Sequence, residues 1–225
     1  MKSKKKESGN IGFSKEYWDV NYSEPEEMDN IINAKEHADY LKALFALEMI
    51  DVNSIIDLGF GKAILFKEML NTFNPYRAVG IEPSEFIYQE VSKKKELLMP
   101  SPSTKLQLIN CDIVSWCKNQ KYEKIFDLGI CTSVFQYLTD EEISFSAKIL
   151  AERIKYIYFS VPTDKELKIQ IEEVKFFDQY AIHRSKSRYL QLLKPHFTFV
   201  SSRILESKYH YDKEDCHFSD LLFRF

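Results

Sequence analysis

Ten residues constrain this chain more than any others: Ser54-Ile55-Ile56-Asp57-Leu58-Gly59-Phe60-Gly61-Lys62-Ala63. Asn53 to Leu58 is a short, β-branched, apolar run that ends beside an acid, the pattern of a parallel strand buried on both faces. Two glycines then turn the chain. Ile64, Leu65, Phe66, Met69 and Leu70 follow at helical spacing, so strand, glycine turn and helix occupy about twenty residues. A turn of this kind brings backbone N–H groups and a helix N-terminus to the carboxyl end of a strand. Glycine has no Cβ there to keep a ligand away. The stretch therefore predicts a cofactor site at one edge of an α/β sheet.

Glycine turns serve several cofactors, and the spacing sorts them. A dinucleotide fingerprint requires Gly or Ala at the sixth position from Gly59, where this chain has Ile64. A P-loop requires Gly-Lys-Ser or Gly-Lys-Thr, and Gly61-Lys62-Ala63 lacks the hydroxyl that would bind magnesium. With Asp57 before the first glycine, the stretch resembles motif I of the class I S-adenosylmethionine-dependent methyltransferases, an acid, one residue, then G-x-G-x-G. The chain departs from that pattern at Phe60, where a smaller residue is usual, and at Ala63, where the third glycine would stand.

Later segments repeat the same logic. Arg77 to Glu82 reads as a second strand ending in a carboxylate, 23 residues beyond Gly59, the span of one helix and one strand. A carboxylate there can accept both hydroxyls of a ribose. Pro83 and Ser84 open the next helix, with Ser84 as its cap. Leu106 to Asn110 is a third strand, followed by Cys111-Asp112-Ile113. The resemblance assigns Asp112 and Ile113 to adenine, while the residues alone also allow Asp112 to cap the helix from Ile113 to Cys117. Lys124 to Cys131 is a fourth strand leading into Thr132-Ser133-Val134-Phe135-Gln136-Tyr137-Leu138, with Tyr137 where the family often has histidine. The Asn-Pro-Pro-Tyr or Asp-Pro-Pro-Tyr sequence of exocyclic-amine nucleic-acid methyltransferases is not found at this point.

Thr139-Asp140-Glu141-Glu142 starts a helix, Lys155 to Val161 is a fifth strand, Asp164 to Val174 is helical, and Phe197 to Ser202 and Phe218 to Phe225 are strands. The expected fold is α/β: a doubly wound, Rossmann-like, seven-stranded sheet, mostly parallel, with one antiparallel strand near the C-terminus. Residues 1–12 are expected to form a basic disordered tail, 13–50 a helical cap, and 51–225 the cofactor-binding domain. The cap would carry Tyr17 and Trp18 and a long helix from about Met28 to Met49.

At 225 residues the chain suits one α/β domain with a cap. Hydrophobic residues make up 44% and charged residues 29%, as in ordinary soluble globular proteins. There is no apolar run long enough for a membrane span and no signal-peptide pattern, so a cytoplasmic location is expected. Cys111, Cys117, Cys131 and Cys216 show no CxxC pairing, which fits reduced thiols. The net charge is −3. Four lysines fall in the first eight residues, and the remainder, 27 basic against 33 acidic residues, does not suggest a duplex-binding face. His210, Asp212, Cys216 and His217 match no standard ligand spacing, and no metal is expected.

The resemblance implies S-adenosylmethionine as methyl donor and S-adenosylhomocysteine as product. In that scheme Asp57, Gly59, Phe60 and Gly61 hold the methionine end, Glu82 and Pro83 the ribose, and Asp112 and Ile113 the adenine. Cys131, Thr132 and Ser133 border the methyl, with Tyr17 and Trp18 closing over it. Tyr137, His183 and His37 are the candidates for the catalytic side, and His183 with Arg184 for the acceptor side, against a purely structural reading of each. The expected acceptor is a small molecule offering O, N or S, to a monomer or homodimer. Nucleic-acid or protein acceptors, a non-catalytic cofactor-binding domain and a nicotinamide oxidoreductase are the alternatives.

Overall fold

The computed structural model describes residues 13–21, 32–99, 101–119 and 124–210. The chain opens with helix α1 (Lys15–Asn21) and helix α2 (Ala34–Leu47). It then alternates through β1 (Ser54–Leu58), α3 (Ile64–Phe73), β2 (Arg77–Glu82), α4 (Glu85–Ser92), β3 (Lys105–Asn110), α5 (Ile113–Lys118), β4 (Phe126–Thr132), α6 (Asp140–Arg153) and β5 (Ile154–Ser160). Helix α7 (Asp164–Ile169) runs on as a wider turn, Gln170–Val174, before α8 (Lys186–Leu193), β6 (Phe197–Phe199) and β7 (Ile204–Ser207).

The strands form one sheet in the order β3-β2-β1-β4-β5-β7-β6. Parallel pairing holds from β3 to β5, while β7 runs antiparallel to both β5 and β6. The seven-stranded, doubly wound architecture expected from the sequence is the one observed. The last strand differs from the expectation: the antiparallel member is Ile204–Ser207. The anticipated strand at Phe218 to Phe225 lies outside the described residues, as do the basic tail and three of the four residues weighed for a metal. The fourth, His210, has Nε2 3.0 Å from the Glu152 carbonyl oxygen.

All five residues of β1 are buried. Ile56 and Leu58 pack with Val79, Ile81, Trp116, Ile143 and Leu150 on the face covered by α5, α6 and α8. Ile55 packs with Leu41, Phe45, Phe66, Met69 and Ile87 on the opposite face, under α2, α3 and α4. That alternation gives a central strand no solvent face, as its continuous apolar run implied. Register places Leu58 beside Ile81 and Asp57 beside both Gly80 and Ile130, so the ends of β1, β2 and β4 come level.

Helix starts follow side-chain chemistry. Ser84 caps α4, its Oγ accepting the Ile87 N–H at 3.5 Å. Thr139 and Glu142 form a reciprocal capping box on α6, with the Glu142 N–H donating to Thr139 Oγ1 at 3.2 Å and the Thr139 N–H to Glu142 Oε2 at 2.7 Å. Among the described residues no helix is long and apolar enough to cross a membrane.

Candidate functional site

A cavity of about 610 Å³ opens where β1, β2, β3 and β4 end, within the range of pockets that hold a cofactor-sized ligand. Its first wall is the glycine turn. Gly59 and Gly61 have φ of +100° and +50°, which only glycine adopts without strain. A Cβ on Gly59 would stand 2.7 Å from Val134 Cγ2, so this position also lacks room. Ala63 takes a left-handed φ of +60° as well and caps α3. The missing third glycine therefore marks a position that keeps the glycine conformation while carrying a methyl group. Phe60 lies over Gly80, where an added Cβ would come within 2.8 Å of Phe60 Cδ1. The larger residue is accommodated because its neighbouring strand has no side chain at that point.

The turn does not present its first amides to the cavity, contrary to the expectation for such a loop. The N–H groups of Gly59 and Phe60 both donate to the Ile81 carbonyl, at 2.9 and 3.1 Å. The Gly61 N–H donates to Glu82 Oε2 at 3.0 Å, and the Ser84 N–H to Glu82 Oε1 at 2.9 Å. A buried carboxylate needs donors, and the glycine turn supplies one of them. Glu82 is only 3% exposed, and burial pushes its carboxyl up to about 7 against the opposing pull of those two amides. Pro83 borders the cavity beside it. Asn110, whose role was not legible in sequence, fixes this strand end by donating from Nδ2 to the carbonyls of Glu82 at 2.8 Å and Pro83 at 3.3 Å.

Asp57 stands behind the wall rather than on it. It is buried, and desolvation followed by the charge of nearby Glu82 raises its carboxyl well above the ordinary carboxylate range. Asp112 does cap α5: Oδ1 accepts from the Ser115 N–H at 2.8 Å and Oδ2 from the Ser115 hydroxyl at 2.7 Å. Each oxygen keeps a second lone pair. Capping and an adenine contact are thus compatible, where the sequence reading set them against each other. Ile113, 3% exposed, lines the same stretch of wall.

Thr132 at the end of β4 and Ser133 just after it border the cavity, with Ser133 at a φ of +55° and its N–H donating to the Ser160 carbonyl at 2.9 Å. Cys131 does not border it. The side chain is buried in the core, where desolvation raises its thiol well above the usual range, so its assignment to the methyl end is corrected.

Helix α1 closes the opposite side. Trp18 Cη2 approaches to 3.5 Å of where a Gly61 Cβ would be, and Trp18 Nε1 donates to Ser84 Oγ at 3.1 Å. Ser84 Oγ in turn donates to the Phe13 carbonyl at 2.8 Å, which fastens this N-terminal segment to the end of β2. Tyr17 and Tyr137 meet at a residue the sequence did not single out, Asp178. Their hydroxyls donate to Asp178 Oδ2 at 3.0 and 2.6 Å, and the Tyr180 N–H donates to Oδ1 at 2.9 Å. Phe13 sits edge-on to Tyr17, Tyr137 and Tyr180, at centroid distances of 5.1, 4.9 and 5.9 Å.

The histidine candidates fall elsewhere. His37 lies on α2 with Nδ1 2.5 Å from the Tyr158 hydroxyl, outside the cavity. Helical spacing turned it toward the sheet face rather than the site. His183 is exposed and does not line the cavity either. Arg184 is buried and structural: Nε pairs with Asp140 at 2.7 Å, Nη2 donates to the Leu138 carbonyl at 2.8 Å and Nη1 to the Tyr189 hydroxyl at 3.2 Å. It holds the α6 start to the segment before α8 and does not border the cavity.

No protein-family model matches this chain, and no curated protein sequence matches it. Solved structures do. The plantazolicin methyltransferase BamL, in complex with a triazolic desmethyl analogue and S-adenosylhomocysteine, superposes with a TM-score of 0.63 over 80% of this chain and 67% of that one, at 17% identity. An S-adenosylmethionine-dependent methyltransferase from Clostridium acetobutylicum gives 0.60 over 80% and 95%, at 13% identity. The magnesium protoporphyrin IX methyltransferase ChlM from Synechocystis PCC 6803, with bound S-adenosylhomocysteine, gives 0.52 over 78% and 83%, at 17% identity.

The fold is that of the class I methyltransferases. In this methyltransferase fold the described cavity lies at the carboxyl ends of the parallel strands on both sides of β1, where the strand order reverses, the place at which open α/β sheets take their ligands.

Proposed function

We propose that this chain is an S-adenosylmethionine-dependent methyltransferase acting on a small-molecule acceptor. One observation carries the reading: a buried carboxylate, Glu82, is held at the end of β2 by the glycine turn itself, in a cavity large enough for a nucleoside. Its two amide contacts leave lone pairs for two ribose hydroxyls. Ile113 offers an apolar flank for adenine, and Asp112 has acceptor capacity left for an exocyclic amine. Gly59 and Gly61, with Thr132 and Ser133, border the part of the cavity left for the amino-acid end.

The cofactor supplies a methyl group on a sulfonium, an electrophile that needs only a well-placed nucleophile. The chain contributes enclosure and alignment. Orienting the two reactants can be worth about 7–11 kcal/mol, enough to make a dedicated acid or base unnecessary for a good nucleophile. Among the described residues no histidine borders the cavity. The molecules named with two structural neighbours, a triazolic desmethyl analogue in complex with BamL and magnesium protoporphyrin IX in the name of ChlM, are in keeping with a small acceptor.

Calorimetric titration of the purified protein with S-adenosylmethionine, S-adenosylhomocysteine and NAD tests the reading. Micromolar binding of the two sulfur ligands is the expected result. Failure of both to bind, or a preference for NAD, refutes it.

A further inference from the structure

Resting on that reading, we propose that the acceptor is a cationic amine, received in the cavity against the wall formed by Tyr17, Tyr137, Tyr180 and Asp178 and methylated on nitrogen. Each tyrosine hydroxyl has one hydrogen. The hydroxyl oxygens of Tyr17 and Tyr137 lie 3.0 and 2.6 Å from Asp178 Oδ2 and 3.2 Å from each other. Asp178 itself has about four acceptor positions, of which the two hydroxyls and the Tyr180 amide take three.

A separate residue points the same way. Gln136, 4% exposed, borders this cavity, and its Oε1 is buried without a hydrogen-bond partner. A buried acceptor left unmade is costly, and a ligand bearing several N–H donors would satisfy it together with Asp178. A hydroxyl acceptor has one hydrogen to offer, a thiolate none. An ammonium has up to three.

Charge and aromatic content agree. Asp178 is 8% exposed, and a buried carboxylate calls for a positive partner. The Phe13, Tyr17, Tyr137 and Tyr180 rings pack against one another at centroid spacings of 4.9 to 5.9 Å and line the same cavity as Asp178, an aromatic wall for a cation. The cluster also stands at the reacting end. Tyr137 closes the short turn Phe135–Tyr137, just after Val134, the residue that packs over Gly59.

The reaction balances with the groups named. The ammonium gives one proton to the Asp178 carboxylate and on to solvent. The freed nitrogen lone pair forms the new C–N bond as the S–CH3 bond breaks, and that bonding pair stays on sulfur. Methylated ammonium, S-adenosylhomocysteine and one proton are the products.

The test is a titration of benzyltrimethylammonium, benzylammonium and the neutral benzyl alcohol into the full chain, with and without S-adenosylhomocysteine. Both cations are expected to bind about tenfold more tightly than the alcohol. In Asp178→Asn, which keeps the shape and most hydrogen bonds, the preference should fall to within about twofold while S-adenosylhomocysteine affinity stays within about threefold. A wild-type protein with no ammonium preference, or an Asp178→Asn protein that keeps it, overturns the proposal. If Asp178→Asn does not fold, Tyr180→Leu decides: an unchanged affinity for benzyltrimethylammonium overturns it, and a loss of about threefold supports it. Binding of S-adenosylhomocysteine without ammonium preference removes the amine and leaves the methyltransferase reading. Ammonium preference without that binding removes the methyltransferase reading, and the amine's role as acceptor with it.

Discussion

The two ends of the cavity are built by different means. At the cofactor end, backbone does most of the holding: Gly59, Phe60, Gly61 and Ser84 donate their amides to Ile81 and Glu82, all within 26 residues. At the acceptor end, side chains from two distant segments converge on Asp178, Tyr137 across 41 positions and Tyr17 across 161. Backbone bonds survive most changes of side chain, so the first end is conserved in form by the fold itself. The second depends on individual residues and can be reshaped one substitution at a time. A single scaffold can therefore keep one cofactor while its acceptor varies.

Breaking the cofactor end should have the largest effect. On the proposed reading Glu82→Ala removes the acceptor for both ribose hydroxyls, and each hydrogen bond to a charged group is worth about 1.5–3 kcal/mol. S-adenosylhomocysteine affinity measured by calorimetry should fall roughly 100-fold or more, whereas Asp178→Asn should barely move it. Gly59→Ala comes next, because its Cβ meets Val134 Cγ2 at 2.7 Å and its φ is +100°. A loss of about 3 kcal/mol is expected, read as a drop of roughly 10 °C in Tm by scanning calorimetry.

The third prediction concerns pH. Glu82 has its carboxyl raised in the folded protein to about 7 from an ordinary 4.5. Between those values the folded state holds the proton more firmly than the unfolded state, so this group's contribution to stability falls as pH rises from 4.5 to 7. In the proposed binding mode ribose hydroxyls donate to the ionised form, and ligand binding has the opposite slope. Affinity for S-adenosylhomocysteine should weaken about tenfold from pH 8 to pH 6, and Glu82→Gln should flatten the profile. An unchanged slope in that variant would show that another group titrates.

Ala63→Gly is the smallest change. Relief of a left-handed alanine outweighs the added freedom of the unfolded chain, and a gain of about 1 kcal/mol is expected with cofactor affinity unaltered. Chemical denaturation at fixed m-value measures it.

The same division explains what could be read from sequence. The cofactor end was legible because its parts are local: a strand, its terminal residue, and a turn whose glycines punctuate the chain. Glu82 could be placed by counting one helix and one strand from Gly59. The acceptor end has no such metric. Asp178 lies between exposed Phe177 and Gln179 in an irregular segment, and only the run of aromatics around it hinted at burial. His37 attracted attention by residue type, yet α2 presents it to Tyr158, and Arg184 proved to be the partner of Asp140. Chemistry-bearing residues are ambiguous until their partners are known, and those partners lie far along the chain.

The antiparallel β7 strand has a consequence for the order in which the protein assembles during translation. Strand β6 emerges from the ribosome before β7, yet it has no place in the sheet until Ile204–Ser207 arrives to sit between it and β5. Until then the β5 edge, Tyr156 to Tyr158, carries unpaired ladder groups beside apolar side chains, the kind of surface on which nascent chains stick to one another. A chain interrupted after Phe199 would possess every element of the cofactor end and still lack the strand that seals its sheet.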